Sequence, residues 1–453
     1  MKRKFPFKLS TTQTVMFSFF LAILVGSILL ALPVSSATNE AIPYIDALFT
    51  ATTSVCVTGL VTLPTVSTWS PFGQIIILIL IQIGGLGIIT IMFGLLIGLH
   101  KKIGIGDRML IQDAFNLNTL SGLVKFVKKV FIGTFIVEGI GALLYMTVFV
   151  PEFGFKGIWI SVFNSISAFC NAGIDILSED SLCAYALNPT INITTCLLII
   201  FGGLGYIVWW DLIKVIKKAK YQKWKCFNNL TLHSKIVLSS TSILILTGTL
   251  LFFIFEYKNP LTIADYSLAD KLQVAFFQSV TTRTAGFATV PQQNLTNASA
   301  LVSLLLMFIG GSPVGTAGGI KTTTIAVLFV SAIATIKNKE DVALFHRTIP
   351  KQAISKAVAV SCISFIVMFT STILMAVVTD ANALDIIYET MSATATVGLT
   401  RNLTPTLNLW GKIIIIITMY LGRIGPISLL IAFNTKKENK NIIKNPTEEI
   451  SIG

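Results

Sequence analysis

The stretch Asp46-Ala47-Leu48-Phe49-Thr50-Ala51-Thr52-Thr53-Ser54-Val55-Cys56-Val57-Thr58-Gly59-Leu60 decides the fold. It is a short, half-apolar segment that ends in a small residue, a glycine and a bulky apolar residue. The same ending recurs at Asn171-Ala172-Gly173-Ile174, Thr284-Ala285-Gly286-Phe287 and Thr396-Val397-Gly398-Leu399. The four glycines are 114, 113 and 112 residues apart, so one unit of about a quarter of the 453-residue chain is repeated four times. An aromatic residue stands ten positions before each glycine: Phe49, Phe163, Phe276 and Tyr388. Asp46 and Asp385 each stand 13 positions before theirs and are expected to cap the start of a short helix.

Composition places these units in a bilayer. Hydrophobic residues make up 53% of the chain and charged residues 12%, with mean hydropathy +0.79. A soluble domain carries about 25% charged residues. The net charge of +13 does not indicate nucleic acid, because 26 of the 34 Lys and Arg fall in five places: residues 1–10, 100–129, 214–235, 337–356 and 434–453. These alternate with apolar crossings so that all five fall on one face, the cytoplasmic one by the positive-inside rule, and both termini are expected there. The opposite connections hold acids such as Glu40, Asp175, Glu179, Asp180 and Asp380. The apolar run 15–32 is long enough to span and reads as a retained first helix. The six cysteines form no CxxC pair and support neither a zinc site nor a disulfide framework. They read chiefly as small apolar packing residues, and Cys56 and Cys170, just before two of the motifs, are where an accessible thiol could be labelled.

Each repeat reads alike: a leading apolar helix, a short segment ending at the glycine, and a second apolar helix that returns. The repeats are placed at 1–100, 101–216, 217–336 and 337–453. The expected fold is an all-α polytopic membrane protein with four helix–pore-loop–helix repeats, that is, eight transmembrane helices plus four re-entrant pore helices around a central pore. The short segments, 12 to 16 residues, are too brief to cross. Irregular backbone at that depth persists only when it lines water or is buried in protein. Four such elements meet that condition together around one axis.

Glycine permits φ > 0 and carries no side chain, so successive carbonyls can face an axis and replace an ion's water. The short helix before each loop presents its negative end to the same place. No charged side chain lies in the four tetrapeptides, which favours a monovalent cation over a divalent one. Thr58, Thr284 and Thr396 are candidate hydroxyl ligands, while Asn171 and Ala172 make the symmetry approximate. The return helices carry further glycines. Gly84-Gly85-Leu86-Gly87 and Gly202-Gly203-Leu204-Gly205 read as close-packing positions. The third repeat has Gly310-Gly311-Ser312-Pro313-Val314-Gly315-Thr316-Ala317-Gly318-Gly319, which cannot hold a helix and reads as a gate loop between two half-helices. Arg423 lies near the middle of an apolar stretch, where a charge costs at least ~2.5–3.5 kcal/mol unless it faces protein or water. Its offset from Gly398 equals that of Gly311 from Gly286, so it is expected to meet the loop and bond its carbonyls. Lys321 reads as a second candidate there. Arg283 and Glu389 are expected to brace the loops from behind, as a pair. No nucleophile–base set, phosphate loop or metal-ligand spacing appears, so neither an enzyme nor an ATP-driven pump is indicated.

Together the four loops, the glycine-rich third return helix and Gly422-Arg423-Ile424-Gly425-Pro426 resemble the Trk/Ktr/HKT superfamily of potassium transporters over nearly the whole chain. The first pore-forming helix is expected almost at residue 1, without the two extra helices of the Trk branch, which is similar to the bacterial Ktr membrane subunit. Gly59, where the plant HKT branch often has serine, resembles the potassium-selective form. The resemblance implies K+ as the transported ion, Na+ as an activator in some members, and no organic cofactor on this chain. It implies a homodimer in the plasma membrane with one pore per chain, resting on a cytosolic regulatory RCK-type ring that binds ATP and ADP. It places a gate at 310–319 and a pore arginine at Arg423, with the ring docking on the basic faces around 100–129, 214–235 and 337–356. The competing readings are a sodium-coupled secondary cation transporter, whose repeats would be inverted rather than parallel, and a non-transporting membrane scaffold.

Overall fold

A computed structural model describes residues 11–98, 104, 122–222 and 228–425. The basic termini, most of 100–121 and the stretch 426–433 expected to continue the fourth return helix lie outside the described residues. The first repeat comprises α1 (Thr11–Leu30), α2 (Tyr44–Cys56), a single turn α3 (Thr65–Thr68), α4 (Pro71–Leu86) and α5 (Ile88–Gly98). The second comprises α6 (Leu123–Phe153), α7 (Phe155–Cys170), α8 (Pro189–Leu204) and α9 (Tyr206–Gln222). The third comprises α10 (Leu232–Glu256), α11 (Leu268–Thr281), α12 (Asn297–Phe308) and α13 (Thr322–Ile336). A small hairpin, β1 (Ala343–Leu344) with β2 (Arg347–Thr348), leads to the fourth: α14 (Lys351–Val378), α15 (Ala383–Ala395) and α16 (Leu409–Ile424).

The leading helices α1, α6, α10 and α14 are each long and apolar enough to span alone. They expose apolar side chains such as Phe135, Leu246 and Phe365, as a lipid-facing surface does. The re-entrant helices α2, α7, α11 and α15 have 13, 16, 14 and 13 residues. At ~1.5 Å per residue they reach roughly 20–24 Å, less than a ~30 Å hydrocarbon core. They are buried along most of their length despite many Ser and Thr. Their hydroxyls bond back to carbonyls one turn earlier, as Thr52 does to Leu48, Ser54 to Thr50, Ser161 to Gly157 and Thr394 to Thr390. That satisfies the polar groups and leaves a slim helix that others can approach closely.

Packing closes the repeats into a cycle. Each leading helix packs on its own re-entrant helix. Each return helix packs on the re-entrant helix of the next repeat: α4 on α7, α8 on α11, α12 on α15, and α16 back on α2. The outer connections begin the return helices with side-chain caps at Ser70, Asn188, Thr296 and Asn408.

Two sequence expectations are corrected here. The first two glycine clusters were expected only to allow close packing, yet they break their helices too. Gly87 (φ +81°) separates α4 from α5, and Gly205 (φ +85°) separates α8 from α9, which are bent by 98°. Gly425 (φ +83°) ends α16 in the same way. Packing also operates: a methyl group on Gly84, Gly202 or Gly422 would lie 2.1, 2.0 or 2.2 Å from the carbonyl oxygen of Val55, Phe169 or Thr394, each four residues before a motif glycine. Second, Asp46 and Asp385 are the third residues of their helices, not the caps, which are Pro43 and Asn382. Both carboxylates form ion pairs instead, Asp46 with Lys412 at 2.5 Å and Asp385 with Arg401 at 2.7 Å.

The close approach predicts a graded response to added methyl groups. Gly202→Ala should lower the thermal unfolding midpoint in detergent, at a cost of about 1–3 kcal/mol. Gly139→Ala, on a helix face with nothing within 4 Å, should leave it unchanged. Equal midpoints for the two variants would contradict the packing described.

Candidate functional site

The four glycine loops converge. A methyl group built on Gly59 would lie 2.4 Å from the Ala172 oxygen, and one on Gly173 2.5 Å from the Ala285 oxygen. On Gly286 it would lie 2.6 Å from the Val397 oxygen, and on Gly398 2.3 Å from the Thr58 oxygen. Each glycine therefore faces the carbonyl of the next repeat, and the fourth faces the first. Any side chain here would collide with backbone, so the ring admits only glycine. Its φ angles are +96°, +64°, +86° and +99°. Two positions earlier Val57, Asn171, Thr284 and Thr396 are also left-handed, at +55°, +60°, +66° and +51°, while the residue between is not. Alternating hand turns successive carbonyls to one side of the strand. It strains three β-branched residues, which persists only where surrounding structure enforces it.

The enforcement comes from hydroxyls that the sequence reading missed. Thr53 accepts a hydrogen bond from the Gly59 amide at 2.9 Å, and Ser392 accepts one from the Gly398 amide at 3.0 Å. Ser167 accepts from the Ile174 amide, and Thr281 donates to the Phe287 carbonyl. Three of these lie six residues before their glycine and the fourth lies five before, a periodicity present in the sequence but hidden among many Ser and Thr. The third loop is one residue tighter than the others. Its buried aromatic is accordingly Phe277, nine residues before Gly286, and not the half-buried Phe276.

Side chains of the loops are buried. The Thr58, Thr284 and Thr396 hydroxyls and both polar atoms of the Asn171 amide have no protein partner. Ala172, Ala285, Val397, Leu60, Ile174, Phe287 and Leu399 pack into the surrounding core. Cys56 and Cys170 are fully buried packing residues, and neither offers an accessible thiol. Cys170 instead faces Gly85, whose added methyl group would lie 2.5 Å from its sulfur.

The segment 310–319 lies across the broken return helices. Breaking α8 at Gly205 frees backbone groups, and the loop takes them up. The Ser312 amide donates to the Gly203 oxygen (2.8 Å), the Thr316 amide to the Gly202 oxygen (3.1 Å), and the Tyr206 amide to the Val314 oxygen (3.1 Å). Thr316 Oγ1 donates to the Phe169 carbonyl at 2.9 Å, and a methyl group on Gly318 would lie 1.8 Å from Thr396 Oγ1. At its root Gly310 bonds Ile320, and Gly311 accepts from Thr322. Gly315 and Gly319 sit against Gly202 and Gly310, and Ala317 against Gly311. The Pro313 oxygen lies 2.4 Å from where a methyl group on Gly205 would stand. Arg423 donates to the Thr316 oxygen (2.8 Å) and to the Gly84 oxygen (2.5 Å), so it joins the loop to the break of the first return helix. Lys321 donates to the Ala317 oxygen at 2.6 Å and points back along its own loop.

Arg283 and Glu389 do not pair. Glu389 accepts from the hydroxyls of Thr400 (2.7 Å) and Thr404 behind the fourth loop. Arg283 donates to Thr241 Oγ1 and to the Gly310 oxygen. No carboxylate reaches the ring itself among the described residues, and three re-entrant helices end directly in its strands. The arrangement is a cage of backbone oxygens biased toward positive charge by helix ends. Thr53→Val should weaken it by about 1 kcal/mol, read as a lower melting midpoint that Thr53→Ser restores. A midpoint unmoved by either substitution would refute the bracing role.

The TrkH family profile, described as cation transport protein, matches residues 1–445. Ktr system potassium uptake protein B of Bacillus subtilis is 40% identical over 442 residues, covering 97% of this chain and 96% of the relative. The potassium/sodium uptake protein NtpJ of Enterococcus hirae is 39% identical over 462 residues, covering 100% and 99%. The crystal structure of the potassium transporter TrkH from Vibrio parahaemolyticus superposes with a TM-score of 0.73 at 17% identity, over 96% of this chain and 86% of that one, and shares the fold. The four registered helix–loop–helix units, closed into a ring by their glycines, are those of a polytopic membrane protein that belongs to the TrkH family of cation transport proteins.

Proposed function

We propose that this chain takes up potassium across the plasma membrane through the ring of Gly59, Gly173, Gly286 and Gly398. The observation that carries the reading is the cyclic contact of each glycine with the next repeat's carbonyl. Four uncharged backbone rims replace the water of a monovalent ion, and the helix ends behind them stabilise its charge. The names of the relatives, potassium uptake proteins of a Ktr system among them, support potassium as cargo. In this reading the segment 310–319 is the gate, latched by Arg423, with Lys321 holding the shape of its end. A positive side chain at that depth repels cations when the loop is seated, and release of the Thr316 contact opens the path. Both termini lie in the cytoplasm. The active form is a homodimer with one pore per chain, controlled by a cytosolic ATP- and ADP-binding RCK-type ring. The chain transports and does not catalyse.

The name of the Enterococcus hirae relative favours a second reading for the ion, in which sodium shares the path as cargo or coupled ion and not only as an activator. Flux in cells stripped of their own uptake systems separates the two. Gly59→Ser should admit sodium or lower the affinity for potassium, because a side chain at φ +96° against the Ala172 carbonyl distorts the ring. Unchanged selectivity in a folded Gly59→Ser protein would count against the ring as filter. Removing residues 312–317 should raise potassium flux. A folded deletion variant with reduced flux would defeat the gate assignment.

A further inference from the structure

In the first three repeats the broken return helix exposes the carbonyl of the first glycine in its cluster, and each such oxygen finds a different donor. In the first repeat the Gly84 oxygen takes Arg423 Nη2, and in the second the Gly202 oxygen takes the Thr316 amide. In the third, the Gly310 oxygen takes Arg283 Nη2 at 3.4 Å. Arg283 thus stands to the root of the loop as Arg423 stands to the first helix break. Its position in the chain differs in one respect. Arg283 is the residue immediately before Thr284, so its backbone is the start of the third glycine strand. The residue is 7% exposed, and its guanidinium has no carboxylate partner among the described residues. Its second contact is Thr241 Oγ1 on α10, at 3.5 Å, and its Nε has no partner. A small cavity lies beside it, lined by Ile199, Gly203, Val280 and Gly311 among others.

A buried guanidinium with no carboxylate partner is costly, and a structural brace needs none, since Thr or Ser performs that task in all four loops, Thr281 in this one. The cost is met only by the groups it joins. We propose that Arg283 is a positioning residue that couples the intramembrane loop to the third strand of the ring, so that the seating of the loop sets the ring's affinity for its ion. The loop is held at its tip by Arg423, from the fourth return helix, and at its root by Arg283, from the ring itself. When the tip leaves Thr316, the root moves, the Gly310 bond is pulled, and the free space beside the guanidinium lets it turn. The strain reaches Thr284, the left-handed residue next in sequence. Lysine cannot replace it, because both contacts leave the one nitrogen Nη2 and a lysine ammonium ends one bond short of that atom.

The inference rests on the reading of the chain as a potassium path, and the test separates the two. Potassium flux into proteoliposomes is measured for four proteins: the full chain, Arg283→Lys, the 312–317 deletion, and the two combined. Absence of flux from the full chain would defeat the transport reading itself. With flux present, Arg283→Lys should raise KM for potassium about tenfold, the worth of one charge-assisted hydrogen bond, with little change in maximal rate. In the deletion background the same substitution should change KM less than twofold, since nothing remains to couple. A tenfold effect in both backgrounds would make Arg283 a plain brace of the ring, and an unchanged KM in the full chain would remove its role; either overturns the proposal. Should Arg283→Lys aggregate, Thr241→Val applies the same test without touching the arginine. It should raise KM about threefold, the worth of a weaker neutral bond, only where the loop is intact. An effect independent of the loop refutes the coupling equally.

Discussion

Hydrocarbon offers no hydrogen bonds, so every backbone amide and carbonyl within it must be satisfied by the protein. This constraint governs the structure. Four loops of irregular backbone are buried at the centre, the first three return helices are interrupted below them, and the described part of the fourth ends at Gly425. Such breaks would leave a set of unpaired carbonyls and amides. The loop 310–319 takes up those freed at Gly202, Gly203 and Tyr206, and Arg423 takes up that of Gly84. The same bonds that make the breaks tolerable dock the loop beneath the ring. The placement of the loop therefore follows from the need to satisfy the broken helices.

The ring is held from outside as well as from below. Lys412 of the fourth repeat pairs with Asp46 of the first, and Thr62 bonds the same carboxylate. Ser67 joins Glu179 across the first and second repeats, and the Leu182 amide joins the Ala288 oxygen across the second and third. Arg401 binds Asp385 and the Gln292 oxygen, which ties the third repeat to the fourth. Gln292 bonds Gln278 and the Tyr388 hydroxyl in turn, reaching the buried wall behind the loops. None of the ties between repeats recurs by symmetry. The glycines and the bracing hydroxyls follow the four-fold pattern, while the connections that fasten neighbours do not. A backbone cage needs equal distances from four sides, whereas any polar pair of the right reach suffices to hold adjacent loops.

Much of this was legible in the chain. Near-constant spacing of the glycines gave the number of repeats, and apolar length separated helices that span from those that turn back. The five-glycine cluster at 310–319 announced a broken helix, because such a sequence cannot propagate one. The equal offsets of Arg423 and Gly311 brought the arginine to the depth of the loop. Gly87 and Gly205 were read as packing positions because a lone positive φ leaves no mark in composition. Asp46 and Asp385 were read as caps because a carboxylate near a helix start suits the cap and the third position alike, and only their partners Lys412 and Arg401, far along the chain, decide.

The sequence by itself determined the four-fold repetition, the class of element in each unit and the residues with no side chain where backbone must face backbone. Those follow from local physics: helix propensity, the reach of a short segment and the freedom of glycine. The tertiary structure alone decided which carbonyl each glycine meets, which hydroxyl pins each strand, and that Arg283 and Glu389 serve different neighbours. The first depends on contacts between repeats more than a hundred residues apart. The others join residues within one repeat, but which of several nearby hydroxyls and carbonyls is met is set by packing around the axis, which no local pattern encodes.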